Sequence, residues 1–230
     1  MNLFYSASRM PGVIGAIDCT HVPIQSPGGD DAEIYRNRKG YFSINVQLVC
    51  DHSGYISDAV ARWPGSVHDS TIFDHCRLRA DLETGHQHGY LVGDGGYACH
   101  RYLLTPLANP TTEAEKAYNA AQISARNCIE RTNGRLKRRF PALKYGMRLR
   151  MDHILPVITA TVVLHNIATM LSDIDPPEDK QLDEFLTSVR QRGLRVEYDA
   201  VEISPPAAVT SVAATAMRKA VIESHFTGRH

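Results

Sequence analysis

The chain has 230 residues, enough for one sizeable core with room for an appendage. Hydrophobic residues make up 43% and charged residues 22%, the balance of an ordinary globular protein rather than a disordered or fibrous one. The formal net charge is zero, so bulk charge predicts no nucleic-acid partner, but its distribution is uneven. Nine Lys or Arg and one acid, Glu130, fall between Arg126 and Arg150, so this stretch is +8 and the remainder −8. Five cysteines, with no CxxC pair and no secretory leader expected at the start, suggest reduced intracellular thiols. No apolar run is expected to span a bilayer: the longest, Ile154 to Met170, is interrupted by Pro156, His165 and Asn166 and reads as a core helix.

In chain order, the first twelve residues are too few for a domain. Val13 to Ile17, Asp18 and Val22 to Ile24 read as one buried strand with a polar interruption. Tyr41 to Asp51 and Tyr55 to Ala61 add two more, giving an antiparallel meander that Pro64-Gly65 ends. A helix from Ser66 to Leu82 is expected next. Tyr90 to Gly93 is a short strand reached through this crossover, hence parallel to the first. After a Pro-containing loop, Glu113 to Phe140 is helical until Pro141 stops it. Ile154 to Ser172 is another helix, Asp173 to Asp179 a linker, and two more helices are expected near Leu182 to Arg192 and Val209 to Phe226. The order predicts an α/β protein with a mixed sheet flanked by helices.

Three acids stand out. Asp18 interrupts a buried strand, where a carboxylate costs several kcal/mol unless it is paired or metal-bound. Asp94 follows a short strand and precedes two glycines that leave room for close approach. Glu130 lies in the basic helix on a face with Arg126, Asn127, Asn133 or Gly134, and Lys137, while Ile129, Leu136 and Phe140 form the packing stripe. Converging, the three would make a hard-oxygen site for Mg²⁺ or Mn²⁺. Each also has a structural reading. Asp18 can bond Thr20 or His21, Asp94 can serve a turn, and Glu130 can pair with Arg126 or Arg131.

Around these acids lie seven runs: Pro11 to Val22 with Asp18 inside, Asn37-Arg38-Lys39-Gly40-Tyr41, Trp63 to Ser70, Gly93-Asp94-Gly95-Gly96-Tyr97, Ala125 to Arg131, Leu136-Lys137-Arg138-Arg139-Phe140, and Leu164-His165-Asn166. In this order the set resembles the DDE domain of the PIF/Harbinger transposase superfamily, including the nucleases derived from Harbinger elements. The 35 residues between Asp94 and Glu130 match that family's spacing. The resemblance implies an RNase H-like fold over 13–172, after a short segment 1–12 and before a linker and C-terminal helical extension over 173–230. It implies that Asp18, Asp94 and Glu130 are catalytic and metal-binding, that the activity is endonucleolytic, and that the protein resides in nucleus and cytoplasm with a Myb/SANT-like DNA-binding partner. Such proteins carry an N-terminal helical region linked to DNA binding. Only twelve residues precede Val13 here, so either the sequence is part of a longer one or target recognition rests on a partner. A catalytically silent scaffold binding such a partner is the alternative function.

The family motif also retains His68 and Asp69, which are possible accessory residues. The competing reading has Ser66 and Asp69 cap the helix, as their spacing suggests. Arg126, Arg131, Arg135, Lys137, Arg138 and Arg139, continuing to Lys144, Arg148 and Arg150, are candidates to follow a DNA phosphate backbone, although some can pair with acids elsewhere in the chain. Arg38 and Lys39 read as a solvated loop. His86, His88, Cys99 and His100 lack zinc-ligand spacing. No Gly-x-Ser-x-Gly turn supports a serine hydrolase.

Overall fold

A computed structural model describes residues 3–177 and 210–227, and between these only positions 180, 184, 185 and 188. The helix expected near Leu182 to Arg192 lies largely outside the described residues. Five strands form one sheet: β1 (Val13–Pro23), β2 (Ser43–Cys50), β3 (Ile56–Pro64), β4 (Tyr90–Val92) and β5 (Leu103–Leu104), in the order β3-β2-β1-β4-β5. The first three make the expected antiparallel meander, and β4 pairs parallel to β1. The sheet is mixed, flanked by helices, and belongs to the α/β class.

β5 replaces part of the expected loop. Two residues are too few to show an alternating pattern, and only their parallel pairing with β4 makes them a strand. The single helix expected from Ser66 to Leu82 is two, α2 (Asp69–Asp74) and α3 (Arg77–Glu83). The break has a local cause. His75 Nδ1 bonds the Thr71 carbonyl, and the Cys76 thiol caps α3 by accepting from the Arg79 amide. Ser66 does not cap α2. His68 is the residue at its start and makes no side-chain cap hydrogen bond, while Asp69 is drawn away by Asn45.

The long helix α4 (Glu113–Arg139) opens on a capping box: Thr112 accepts from the Glu115 amide and Glu115 accepts from the Thr112 amide. Its buried stripe, Tyr118, Ala121, Ala125, Ile129, Thr132 and Leu136, recurs every three to four residues, and its apolar members pack on one sheet face against Ala16, Val46 and Leu48. Phe4 of α1 (Leu3–Ser8) joins this core, as do Ala214, Val221 and Ile222 of α7 (Val212–His225). The opposite face is covered by Phe73, Leu78 and Leu82 of α2 and α3, with Tyr97 and Tyr102. All five cysteines are free thiols, and Cys50 of β2 lies 3.7 Å from Cys128 of α4.

Pro141 ends α4 and leads into a short helix, α5 (Ala142–Tyr145). α6 (Met151–Met170) corrects one expectation. With 20 residues and a mean hydropathy of 1.4, it is long and apolar enough to cross a membrane by length and composition. Two polar residues in its last turns point inward. Asn166 clasps the Ile56 backbone with two bonds of 2.8 Å, and His165 bonds the Gly54 carbonyl at 3.0 Å. Val163, Leu164, Ile167 and Met170 are exposed on it.

His165 is 2% exposed, and burial first of all holds its pKa below 6.5. The unfolded chain therefore takes up this proton first as pH falls below about 6.5, so stability is lost on acidification through that range. The expected result is a steeper fall in Tm between about pH 7.5 and 5.5 for the wild-type chain than for His165→Gln. Parallel pH profiles would remove His165 as the cause.

Candidate metal and nucleic-acid site

The site is made by a notch in the sheet. β1 pairs with β4 only as far as Ala16 and Val92. Beyond that register β1 carries Asp18 with its second edge open, and the chain leaving β4 turns through Gly93 to Asp94. The Gly96 amide bonds Asp94 Oδ1 at 2.9 Å, fixing the turn. A Cβ on Gly95 would meet nothing within 4 Å, so the approach to Asp94 is open there.

Burial pushes the Asp18 carboxyl up to about 7, followed by repulsion from Asp94; Asp69 adds to this, while the Cys19 amide and Arg126 oppose it. The three aspartates thus share one electrostatic neighbourhood. From α4, Asn133 Nδ2 donates to Asp18 Oδ2 at 3.2 Å, which links the helix face carrying Glu130 to the strand. Asn133 Oδ1 is buried without a hydrogen-bond partner.

Glu130 is half exposed and holds Arg126 Nη2 at 2.7 Å, an i,i+4 pair on the helix. The same Arg126 also acts to lower the Asp18 carboxyl, so its charge is felt by both acids. Among the described residues, no group of three or more His, Cys, Asp or Glu is spaced to hold a metal ion. The donor chemistry fits one nonetheless. Asp18, Asp94 and Glu130 offer hard oxygens, two of the acids repel one another, and Asn133 Oδ1 lacks a partner beside them.

Asp69, at the start of α2, takes Asn45 Nδ2 at 2.9 Å, and the same amide group holds the Val67 carbonyl at 2.9 Å. Asn45 is 1% exposed and paired in register with His21 of β1. Around it, Cys19 Sγ lies 3.3 Å from the Tyr97 hydroxyl, and His21 Nδ1 lies 3.0 Å from Ser43 Oγ, which also accepts from Asn37. Burial pushes the Cys19 thiol and the Tyr97 hydroxyl well up and the His21 imidazole down to about 4. Gly65 allows this packing, since a Cβ there would collide with Ser43 Oγ and the Tyr35 carbonyl. Asn45 and Asn133 are residues that sequence reasoning did not assign. A polar residue inside the otherwise buried β2 and the shared face with Glu130 were their signals.

The basic helix is divided. Lys137 Nζ donates to the His21 carbonyl at 2.8 Å, on the strand side. Arg135 pairs with Asp175 at 2.8 Å, and Arg139 pairs with Asp173. Part of the positive charge is therefore neutralised by the acidic linker. Arg131 is exposed, and Arg138 is half-buried.

Comparison with known proteins places these features in context. The profile of the DDE superfamily endonucleases matches residues 17–166. A rat protein named Putative nuclease HARBI1 is 40% identical over 169 residues, covering 72% of this chain and 48% of its own. A Xenopus laevis protein of the same name is 30% identical over 229 residues, covering 97% and 61%. An Arabidopsis thaliana protein, Protein ALP1-like, is 26% identical over 220 residues, covering 87% and 53%. The chain spans about half the length of the first of these relatives. No solved structure matches it.

Proposed function

The chain belongs to the DDE superfamily endonucleases, and from that premise we propose that it cleaves DNA phosphodiester bonds with divalent metal held by Asp18, Asp94 and Glu130, on an RNase H-like fold. One observation carries the reading. Two carboxylates from separate strands, Asp18 and Asp94, repel each other in a partly buried notch, where a cation would relieve both. Bound Mg²⁺ or Mn²⁺ would supply activation of a water or 3′-hydroxyl and stabilisation of the leaving oxygen.

The protein's own groups have distinct duties. Asn133 orients the Asp18 carboxylate, and the Gly96 amide orients Asp94. Arg126 pairs with the Glu130 carboxylate on the surface of α4. Asp69, anchored by Asn45, is an accessory acid whose charge is felt at Asp18; His68 starts its helix. Lys137 and the exposed Arg131 are positioned to meet DNA phosphates, with Arg138 beside them.

The test is calorimetric titration of Mn²⁺ into the wild-type chain and an Asp18→Asn/Asp94→Asn variant, followed by incubation of each with supercoiled plasmid and Mg²⁺. Metal binding and nicking by wild type, both lost in a folded variant, are expected. A second reading, a non-cutting scaffold for a Myb/SANT-like protein, draws support from the Arg126–Glu130 pair, which occupies the third acid. Partner binding without metal uptake or nicking would favour it and overturn the first.

A further inference from the structure

Beyond the basic helix, a second positively charged feature opens at the far end of β1. After Pro23, the chain is tied to the segment that follows α5. Ile24 bridges Met147 in parallel, Met147 N donates to the Pro23 carbonyl at 3.0 Å, and Gln25 N donates to the Met147 carbonyl at 3.1 Å. This ladder fixes the exposed residues Arg148 and Arg150 beside Gln25 and Ser26. Together they border an open cleft of about 610 Å³ that also includes Asp152.

The cleft lies further along the chain that forms β1 and carries Asp18. From Asp18 to Gln25 is seven residues of extended chain, about 23 Å at ~3.3 Å per residue. Positive groups mark the way. Arg126 is felt at Asp18, Lys137 sits on the His21 carbonyl, and Arg38 and Lys39, both exposed, are felt at His21. The opposite side of α4 is different in kind, because Arg135 and Arg139 are already held by Asp175 and Asp173. Within the cleft, Arg150 lies 3.2 Å from Asp152, but both side chains are more than half exposed. Such a pair is worth little and exchanges readily for a phosphate.

We infer that this cleft is a docking site for the backbone of double-stranded DNA flanking the cleaved bond, with Arg148 and Arg150 as its phosphate contacts. The inference rests on the nuclease reading and adds where the substrate lies. About 23 Å corresponds to roughly seven base pairs at ~3.4 Å each. Duplex is favoured over single strand because the lining holds no aromatic side chain on which an unpaired base could stack. The contacts are to charge alone, so binding here is independent of sequence.

Fluorescence anisotropy with a labelled 20-base-pair duplex in EDTA, over a series of KCl concentrations, tests this without cleavage. Arg148→Ala/Arg150→Ala should weaken binding and lower the slope of log K against log salt by about 1.8, two contacts at ~0.9 each. Arg148→Lys/Arg150→Lys should restore the slope, and Arg135→Ala/Arg139→Ala should leave it unchanged. An unchanged slope in the first variant overturns the docking site, as does tighter binding of a 20-nucleotide single strand than of the duplex. If wild type binds no duplex, the site fails whatever the Mn²⁺ titration shows; if it binds duplex with an unchanged slope while Mn²⁺ binding persists, only the docking site is lost.

Discussion

Replacing Glu130 with Gln should abolish Mg²⁺-dependent nicking while leaving the fold intact. The two halves of this result have separate causes. Glu130 is half exposed and its partner is a neighbouring turn of α4, so the ion pair contributes less than about 1 kcal/mol. Gln keeps the length and a carbonyl for Arg126, and Tm should move by only a few degrees. Activity is another matter. A carboxylate that completes a metal site acts where charge develops in the transition state, and its loss is expected to cost ~10³-fold or more. Plasmid nicking timed for wild type and variant, with circular dichroism melts on the same samples, checks both halves. Undiminished nicking would return Glu130 to the role of helix-surface partner for Arg126. The third acid would then have to come from elsewhere, with Asp69 the first place to look.

Asp18→Asn should make the metal-free protein more stable. In the folded chain the carboxyl titrates at about 7, against 3.8 as its ordinary value. A raised value means that the folded state holds this proton between those limits and the unfolded chain does not. The associated stability is complete below about pH 4, is lost as pH rises through 7, and is then constant. At ~1.4 kcal/mol per pH unit the penalty at alkaline pH approaches about 4 kcal/mol, and water reaching the open notch reduces it to about 2. Asn carries no charge, and its side-chain oxygen can still accept from Asn133. Urea denaturation in EDTA should therefore show the variant ahead at pH 8, with the gap closing towards pH 4.5. Equal stability at both pH values would mean that the notch is wet enough to leave Asp18 unstrained. Confirmation would show that the buried carboxylate of Asp18 is unfavourable in the metal-free fold.

Much of the fold was legible because its elements are long and patterned. β1 announced itself by apolar runs on both sides of Asp18, the meander by its turns, and α4 by a 3.6-residue stripe with Pro141 after it. Asp94 was legible as the end of a strand. What escaped depends on distant partners. β5 has two residues, and only β4 makes it a strand. The break between α2 and α3 rests on a cysteine cap and a histidine folded back onto its own turn, neither a strong sequence signal. Ser66 has the right spacing to cap, but Asn45, remote in sequence, supplies the donor that seats Asp69. α6 was expected, but His165 and Asn166, which look like interruptions of its apolar run, are the helix's bonds to the β3 side of the sheet. At the candidate site, the placement of Asp18 in a strand, Asp94 just past one and Glu130 on the long helix was legible from pattern. The Arg126 bridge and the linker acids on Arg135 and Arg139 follow only from three-dimensional packing.

The pairing of β1 with β4 also sets the order in which this protein can come into being. β1 leaves the ribosome ahead of its antiparallel partner β2, which follows soon after, so that side can zip early. The other edge, the apolar stretch Val13 to Ala16, must wait until α2 and α3 have been made and Tyr90 to Val92 arrives. During that interval the nascent chain presents a bare hydrophobic strand edge, a template for pairing with a neighbouring copy. The edge of β1 left open at Asp18 is the remainder of this same exposure. Slower synthesis and lower temperature at production, which reduce encounters between nascent chains, act on the step where this architecture is most vulnerable.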